Sequence, residues 1–242
     1  MLKKQPVLSF TLCCWLCALL SLALSLFLIP QHSRADEPSP DQPRLPLLLH
    51  ETFDKDADRW EPTDAKAWKL VQPTNRDSRA YSLFQASKYS PPVRSPVNYS
   101  LLKDLNLGEF TLDVQAQSTG RDYGHRDLCL IFGYQGPQEF YYVHLARNAD
   151  DHANQIFIVN KAPRVKISQT TTEGTKWDDN WHKLRLTRNP ADGAIAVYFD
   201  DLEKPVMTAS DKTFAWGRVG VGSFDDTGNF DELFLYGEEA AK

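Results

Sequence analysis

The sequence has few cysteines, and most of them lie outside the part of the chain in which a disulfide could stabilise a folded domain. Three of the four, Cys13, Cys14 and Cys17, lie in an apolar N-terminal segment, and only Cys129 remains in the rest of the chain. A single cysteine excludes an internal disulfide, so a hydrophobic core has to stabilise the domain. Cys129 sits in the apolar run 128–132, which predicts a buried small side chain and not a nucleophile.

Positive charge is also sparse. The 242-residue chain has 27 Lys and Arg against 32 Asp and Glu, a net charge of −5. Residues 1–35 hold three of the basic residues and no acidic one, so without them the balance is 24 against 32, or −8. Proteins bind nucleic acid and anionic lipid through clustered Lys and Arg, and neither ligand is therefore an expected partner.

The N-terminus has the pattern of an export segment. Lys3 and Lys4 precede an apolar run over 7–29, and small residues at Ser33 and Ala35 suit a signal-peptidase cut after Ala35. The run is longer than the roughly 7–15 residues usual in a signal peptide, so an uncleaved membrane anchor is the alternative. In both cases the lysines stay inside, which predicts an exported domain in the periplasm or outside the cell. Contact with a membrane is expected only through this segment, if it is retained.

The remaining chain lacks helical periodicity and internal repeats. Residues 36–45 are rich in proline and polar side chains, which indicates a linker before a domain over 46–242. Short segments rich in β-branched and aromatic residues follow, separated by Gly, Pro, Asn and Asp. Strands are predicted near 46–53, 67–72, 80–85, 98–103, 109–118, 127–134, 139–147, 154–160, 163–168, 181–188, 194–200, 206–209, 217–224 and 230–236.

Several of these segments show the alternation of a half-buried strand. Apolar residues at 110, 112, 114 and 116 alternate with polar ones, and Val165 and Ile167 alternate with Arg164 and Lys166. The loop 189–193 has the turn residues of a hairpin between two strands. Many strands without helices predict two packed sheets or a closed barrel, and the absence of a repeat argues against a propeller or solenoid.

The C-terminal third resembles a known family. The segments that carry the resemblance are Trp181-His182-Lys183-Leu184-Arg185-Leu186, the strand 192–201 ending in Asp200-Asp201, the glycine-rich 217–224 and the closing 230–235, with Glu51-Thr52-Phe53-Asp54, Trp60 and Trp68 at the start. They are similar to the concanavalin A-like lectin/glucanase superfamily, and to its laminin-G-like and 3-keto-disaccharide hydrolase-like domains. The resemblance covers about 46–237 and implies an all-β, two-sheet antiparallel jelly-roll sandwich. This fold hosts lectins, hydrolases, lyases and adhesion modules alike, so it does not define an activity.

Two catalytic patterns of this fold are missing. The Glu-x-Asp-x-x-Glu strand of family-16-type glucanases does not occur, and Gln155-Ile156-Phe157 lacks the histidine of alginate-lyase-like strands. These absences favour an exported, non-catalytic module that binds an anionic or neutral polysaccharide. A glycan hydrolase or lyase, and a structural envelope domain that contacts other proteins, remain as alternatives.

A polar cluster on the middle strands is the candidate binding site. Tyr142 and His144 share one face of their strand, and Arg164 and Lys166 share a face of another, so together they are predicted to line the concave sheet. Aromatic rings stack on sugars, and Arg and Lys bind carboxylate or sulfate groups. In the enzyme alternative, His144 and Tyr142 act as an acid/base pair. Ordinary cross-strand pairing on a solvated face explains the same residues. The predicted ligand-binding set is Arg126, Tyr142, His144, Asn154, Arg164, Lys166 and Trp177.

The tryptophans and the acidic residues give two further predictions. Trp181 is expected in the core, whereas Trp177, in a polar loop, is either a sugar platform or a packed anchor. Sandwiches of this family often hold a structural Ca²⁺ between the first and last strands, which the resemblance transfers to Glu51, Asp54 and Asp231. Plain surface acids are the alternative, and no His/Cys spacing indicates zinc.

Overall fold

A computed structural model of the protein describes residues 45–74 and 76–240. The predicted signal peptide or anchor and all of the linker except its last residue lie outside the described residues. Apart from a 3₁₀ turn at Ala65–Ala67, the described elements are strands. They are β1 (Leu47–Glu51), β2 (Trp60–Pro62), β3 (Trp68–Val71), β4 (Ala80–Leu83), β5 (Asn98–Leu102), β6 (Leu107–Ser118), β7 (Asp127–Gly136), β8 (Glu139–Ala146), β9 (Gln155–Asn160), β10 (Val165–Lys166), β11 (Ser168–Thr171), β12 (His182–Arg188), β13 (Ala194–Phe199), β14 (Met207–Ser210), β15 (Arg218–Ser223) and β16 (Gly228–Glu239).

The strands form two antiparallel sheets. Sheet A has the order β11-β14-β13-β12-β6-β16-β4-β3, with β1 also paired to β16, and sheet B has the order β10-β9-β8-β7-β15-β5-β2. Every strand pair is antiparallel. This arrangement confirms the predicted all-β sandwich. No helix in the described part of the chain is long and apolar enough to cross a membrane.

Alternation along the strands separates a core face from an outer face in sheet B. Leu128, Leu130 and Phe132 of β7 enter the large apolar core that both sheets share. Cys129 and Ile131 point the other way, into a second buried cluster on the outer face. The period of two that defines a strand therefore gives sheet B two apolar faces instead of one.

A long loop covers part of this outer face. We call residues 84–97 the covering loop; its Tyr89 and Val93 pack on the second cluster. The Arg94 carbonyl accepts a hydrogen bond from the Arg164 amide at 3.1 Å, and the Val97 amide donates to the Phe224 carbonyl at 3.2 Å. These two hydrogen bonds attach the covering loop to the segments that contain Arg164 and Phe224. The loop therefore covers the second cluster on the outer face of sheet B.

Three details differ from the sequence-based expectation. The short strand β2 was not predicted, because three residues carry no measurable alternation. The predicted strand at 163–168 is divided between β10 in sheet B and β11 in sheet A. Val165 is consequently 57% exposed, since its two-residue strand lies at a sheet edge. The polar face of β6 is also partly buried, because Asp113 is paired with Arg185 of β12 at 2.6 Å.

Candidate functional site

A pocket of about 170 Å³ opens at one end of sheet B. It lies where β7 begins, β8 ends and β9 begins, and the covering loop forms one of its walls. We call it the arginine pocket. It is lined by Arg94, Tyr123, His125, His144, His152, Arg164, Phe224 and Asp225.

Arg164 is held rigidly on the floor of this pocket. Its guanidinium lies between the rings of Phe157 and Phe224, at 4.4 and 4.3 Å from their centroids. Nη1 donates to the Tyr142 hydroxyl at 2.6 Å, and Nη2 donates to the His152 carbonyl at 2.9 Å. Both faces of the Arg164 guanidinium and two of its N–H groups therefore contact the protein. Its remaining N–H groups can donate hydrogen bonds to a ligand.

Tyr142 supports Arg164 and does not reach the pocket. Its side chain is fully buried and stacks on Phe157 with the ring centroids 5.1 Å apart. Burial raises the pKa of the Tyr142 hydroxyl far above its usual range, although the charge of Arg164 acts in the opposite direction. Tyr142 was predicted to act as a sugar platform or as an acid/base partner, and in this structure its side chain has no exposed surface for either role.

His144 lines the inner end of the pocket and belongs to a buried polar cluster below it. Register places it directly opposite Cys129, and Asp127 is on the same face of β7. Nδ1 lies 2.9 Å from the His152 carbonyl, which only accepts, so this nitrogen carries a proton. Nε2 lies 3.3 Å from Asp127 Oδ2, within ion-pair distance but without a hydrogen bond.

Asp127 is the acidic centre of this cluster. Its carboxylate accepts hydrogen bonds from the Ser223 hydroxyl at 3.0 Å, the Phe224 amide at 2.9 Å and the Cys129 thiol at 3.3 Å. Burial raises the pKa of Asp127, but the charge of His144 and these donors outweigh it and hold the pKa below its usual value. Asp127 is therefore ionised although no solvent reaches it.

The rim of the pocket adds further polar groups, Asp225, His125 and Arg94. Burial and then the charge of Asp127 raise the pKa of Asp225. His125 is paired with Asp150 at 2.8 Å, which fixes its ring at the edge. Arg94 belongs to the covering loop, which has no periodic signal in the sequence. The pocket thus combines two guanidinium groups with one carboxylate and the two aromatic rings of Tyr123 and Phe224.

A second depression of about 370 Å³ lies near β2, β5 and β7. Tyr89, Tyr99 and Tyr134 line it together with Glu61 and Arg218. We call it the tyrosine pocket; it was not predicted from the sequence. Tyr89 of the covering loop and Arg94, five residues later, line different pockets, so the loop contributes to both.

Three predicted ligand residues lie elsewhere and have structural roles. Arg126 is 2% exposed and donates to Ser118 and to the Asp178 carbonyl. Asn154 is fully buried, and its amide bonds the hydroxyl of Thr171 at 3.0 Å. Lys166 is exposed but pairs with Asp151 outside the pocket. Arg126 and Asn154 cannot reach a ligand because their hydrogen-bonding groups face inward.

The two tryptophans differ in burial, and only Trp181 departs from its expected environment. Trp177 is 2% exposed and donates its indole N–H to the Leu145 carbonyl at 2.9 Å. It is the packed anchor and not the sugar platform. Trp181, expected in the core, is only half-buried, and the Arg76 guanidinium lies 4.1 Å from its ring centroid.

The three residues predicted to hold Ca²⁺ do not converge. Among the described residues, they do not form a group of ligand atoms close enough to share one ion. Glu51 accepts from the Trp60 indole at 3.3 Å, and Asp54 accepts from the Arg79 amide at 3.1 Å. Asp231 is buried and pairs with Arg76 at 2.7 Å. Each of the three carboxylates is instead bound to a separate protein donor.

Comparisons with known proteins agree on the fold. No family model matches the chain, and no curated protein matches it. A carbohydrate-binding module, CBM66, from Bacillus subtilis superposes with a TM-score of 0.51 at 15% identity, covering 74% of this chain and 95% of that one. A Bacillus subtilis protein of unknown function with a galectin-like fold gives 0.50 at 10% identity, covering 81% and 98%.

The mutant GH43 protein BlXynB from Bacillus licheniformis gives a TM-score of 0.52 at 12% identity. That match covers 78% of this chain but only 39% of the larger protein. The described part of the chain has the two-sheet antiparallel jelly-roll fold that the sequence predicts. Identities this low define the fold and leave the ligand to be argued from the site.

Proposed function

We propose that the chain is an exported carbohydrate-binding module that holds an anionic glycan in the arginine pocket. The observation that carries the proposal is the pair Arg94 and Arg164, two guanidinium groups on one small pocket of an otherwise acidic protein. A planar guanidinium matches the geometry of a carboxylate or sulfate group and can bind it with two hydrogen bonds.

Preorganisation of Arg164 supports this function. The rings of Phe157 and Phe224 and two hydrogen bonds hold its guanidinium before any ligand arrives. A side chain that is already ordered loses little conformational entropy on binding, so more of each contact appears as affinity. Tyr123 and Phe224 offer apolar ring surface to a sugar, and Asp225 can accept hydrogen bonds from sugar hydroxyls.

A glycan array that contains neutral, uronic-acid and sulfated polysaccharides tests the proposal. We expect the full chain to bind acidic glycans and to lose affinity as salt is raised, because the charges at the pocket mouth are screened. If the protein binds only neutral glycans, and Tyr134→Ala abolishes that binding, the binding site is the tyrosine pocket and not the arginine pocket. Absence of binding across all three classes would contradict the proposal.

Variants of the two arginines sharpen the test. Arg94→Ala should weaken binding of an acidic glycan about 10- to 100-fold, the value of one charge-assisted hydrogen-bonded contact. Arg164→Lys keeps the charge but removes the planar fork, so it should also lower the affinity. Arg59→Ala, which removes an exposed arginine between β1 and β2, is the matched control and should bind like the wild type.

A glycan-cleaving enzyme is the second candidate, favoured by Asp225. A carboxyl group with a raised pKa on a pocket wall can act as a proton donor or acceptor. Chromatography of bound glycans after incubation with the protein tests this candidate. New chain ends in the wild type, absent from Asp225→Asn, would support an enzyme, and unchanged glycans would contradict it.

A further inference from the structure

We propose that Asp127, Cys129 and His144 form a binding site for a divalent first-row metal ion, Zn²⁺ in the first instance. The carboxylate, thiol and imidazole atoms of these residues all lie within 4.8 Å of one another. The site lies in the layer of side chains beneath the arginine pocket and does not depend on whether a glycan binds above it.

Strand register builds this cluster. Asp127 and Cys129 are two residues apart on β7 and so project from the same face of the sheet. His144 is the direct partner of Cys129 on β8. The three ligand atoms are therefore positioned by backbone pairing, which holds them more precisely than a loop would. A zinc signal is missing from the sequence because the hairpin, and not a short motif, brings cysteine and histidine together.

The distances suit a tetrahedral ion. Asp127 Oδ2 lies 3.3 Å from His144 Nε2 and 3.3 Å from Cys129 Sγ. Zinc bonds of about 2.0–2.3 Å to N, O and S imply roughly 3.3–3.8 Å between ligand atoms in a tetrahedron. An ion thus fits with little movement of the side chains. A fourth ligand can enter from the side of the pocket, where Asp225 lies.

An independent observation points to an ion at this position. His144 is 4% exposed, and its Nε2 atom has no hydrogen-bond partner although it is buried. Buried polar atoms are nearly always paired, and an orphan of this kind requires an explanation. The other ring nitrogen bonds the His152 carbonyl at 2.9 Å, which is the backbone support that metal-binding histidines usually have.

Donor chemistry favours a divalent first-row cation. Metal ions bind the deprotonated forms of these side chains, so Zn²⁺ would displace the proton of the Cys129 thiol and be held by a thiolate, an imidazole nitrogen and the Asp127 carboxylate. Imidazole with thiolate selects zinc over calcium, which prefers oxygen ligands alone.

Cobalt substitution tests the site directly, because Co²⁺ replaces Zn²⁺ and reports on its ligands by absorption. We expect the reduced, chelator-treated full chain to bind one equivalent of Co²⁺ with a thiolate-to-cobalt charge-transfer band that Zn²⁺ abolishes. Excess Ca²⁺ should leave the band unchanged. Cys129→Ser and His144→Gln should each weaken Zn²⁺ binding by about 100-fold or more, since even supporting residues account for 10- to 100-fold.

A matched control separates Cys129 from the other cysteines. The triple variant Cys13→Ser, Cys14→Ser, Cys17→Ser should keep the band and the stoichiometry. Absence of the band in the wild type, or its loss in the triple variant, would overturn the proposal. Retention of full affinity in Cys129→Ser would also overturn it. If Cys129→Ser fails to fold, the wild-type and triple-variant spectra decide the question by themselves.

Discussion

At the residue scale, Trp177 connects a polar loop to the core. Its ring packs edge-on against Phe199 and His182, with centroids 4.9 and 5.3 Å away. Its indole N–H satisfies the carbonyl of Leu145 in β8, which belongs to the other sheet. One side chain therefore joins sheet A to sheet B.

Replacing this side chain should be costly. Trp177→Ala leaves a large cavity and an unpaired carbonyl, so we expect a loss of about 3–5 kcal/mol in the free energy of unfolding by urea. Trp181→Ala, four residues further on and half-buried, is the control and should cost less than half as much. Equal losses in the two variants would contradict the assignment of Trp177 to the core.

Asp211 provides a pH-dependent prediction at the same scale. Burial raises its pKa, but hydrogen bonds from the Tyr141 hydroxyl and the Thr213 amide outweigh this and hold the pKa below 3.8. A depressed pKa stabilises the fold above pH 3.8, and this stability is lost as the pH falls through the folded-state value. Asp211→Asn should thus cost about 1 kcal/mol at pH 7, since solvent screens the group, and less at pH 3.

Thermal unfolding of Asp211→Asn and of the wild type at the two pH values checks this prediction. Asp58→Asn, at an exposed position, serves as the control. A difference between Asp211→Asn and wild type that grows toward low pH would reverse the expected sign and contradict the assignment.

The burial of individual side chains was harder to predict from the sequence than the strands or the fold. Trp177 and Trp181 flank the same polar stretch, so composition cannot tell which indole enters the core. Arg126 and Asn154 are polar residues whose partners come from distant segments, and only the folded chain shows that these groups are satisfied internally. Cys129, by contrast, lies within a continuous apolar run, and its predicted burial is confirmed.

At the element scale, the β12–β13 hairpin is the clearest link from sequence to structure. Gly193 has φ of +86°, and its amide donates to the Asn189 carbonyl at 3.0 Å. A Cβ atom there would meet Lys212 Cγ at 2.9 Å and the Asp211 carbonyl at 3.0 Å. Both the backbone conformation and the space therefore require glycine at this turn.

Substitution of glycine at this turn should destabilise the domain. Gly193→Ala is expected to cost about 1–3 kcal/mol, because alanine is strained at positive φ. Gly136→Ala is the matched control: a Cβ atom added there would meet no other atom within 4 Å, and its φ is not positive, so its effect should stay within about 0.5 kcal/mol. Chemical denaturation of both variants measures the difference; equal effects would show that the turn does not require glycine.

Long strands were predictable and short connections were not. Alternation and turn residues located β6, β7, β8 and the β12–β13 hairpin close to their observed bounds. The change of sheet between β10 and β11 has no sequence signal, because each strand is only a few residues long. The covering loop also lacks a pattern, although it decides which parts of sheet B are open to a ligand.

At the scale of the whole molecule, the candidate site is the meeting point of separate loops. Sequence reasoning placed His144 and Arg164 on one sheet face, and in the structure both line the arginine pocket. It could not add Arg94 or Asp225, because these residues approach the pocket from loops whose paths depend on the complete sandwich. Alternation predicts the face of a residue, but only the sheet order predicts its neighbours.

Export is a prediction at this scale. The basic start, the apolar run 7–29 and the small residues at 33 and 35 predict that the domain leaves the cytoplasm. Fractionation of cells with intact-mass measurement should find the protein outside the cytoplasm, beginning at Asp36 if the segment is cleaved. Recovery of the full-length chain in the soluble cytoplasmic fraction would contradict this prediction.

The central claim is that an acidic glycan binds in the arginine pocket. A structure of the protein with the acidic oligosaccharide that binds best on the array tests it most directly. We expect a carboxylate or sulfate group within hydrogen-bond distance of both Arg94 and Arg164, with a sugar ring against Phe224 or Tyr123. An oligosaccharide bound on the outer face of sheet A, or in the tyrosine pocket with the arginine pocket empty, would contradict the claim.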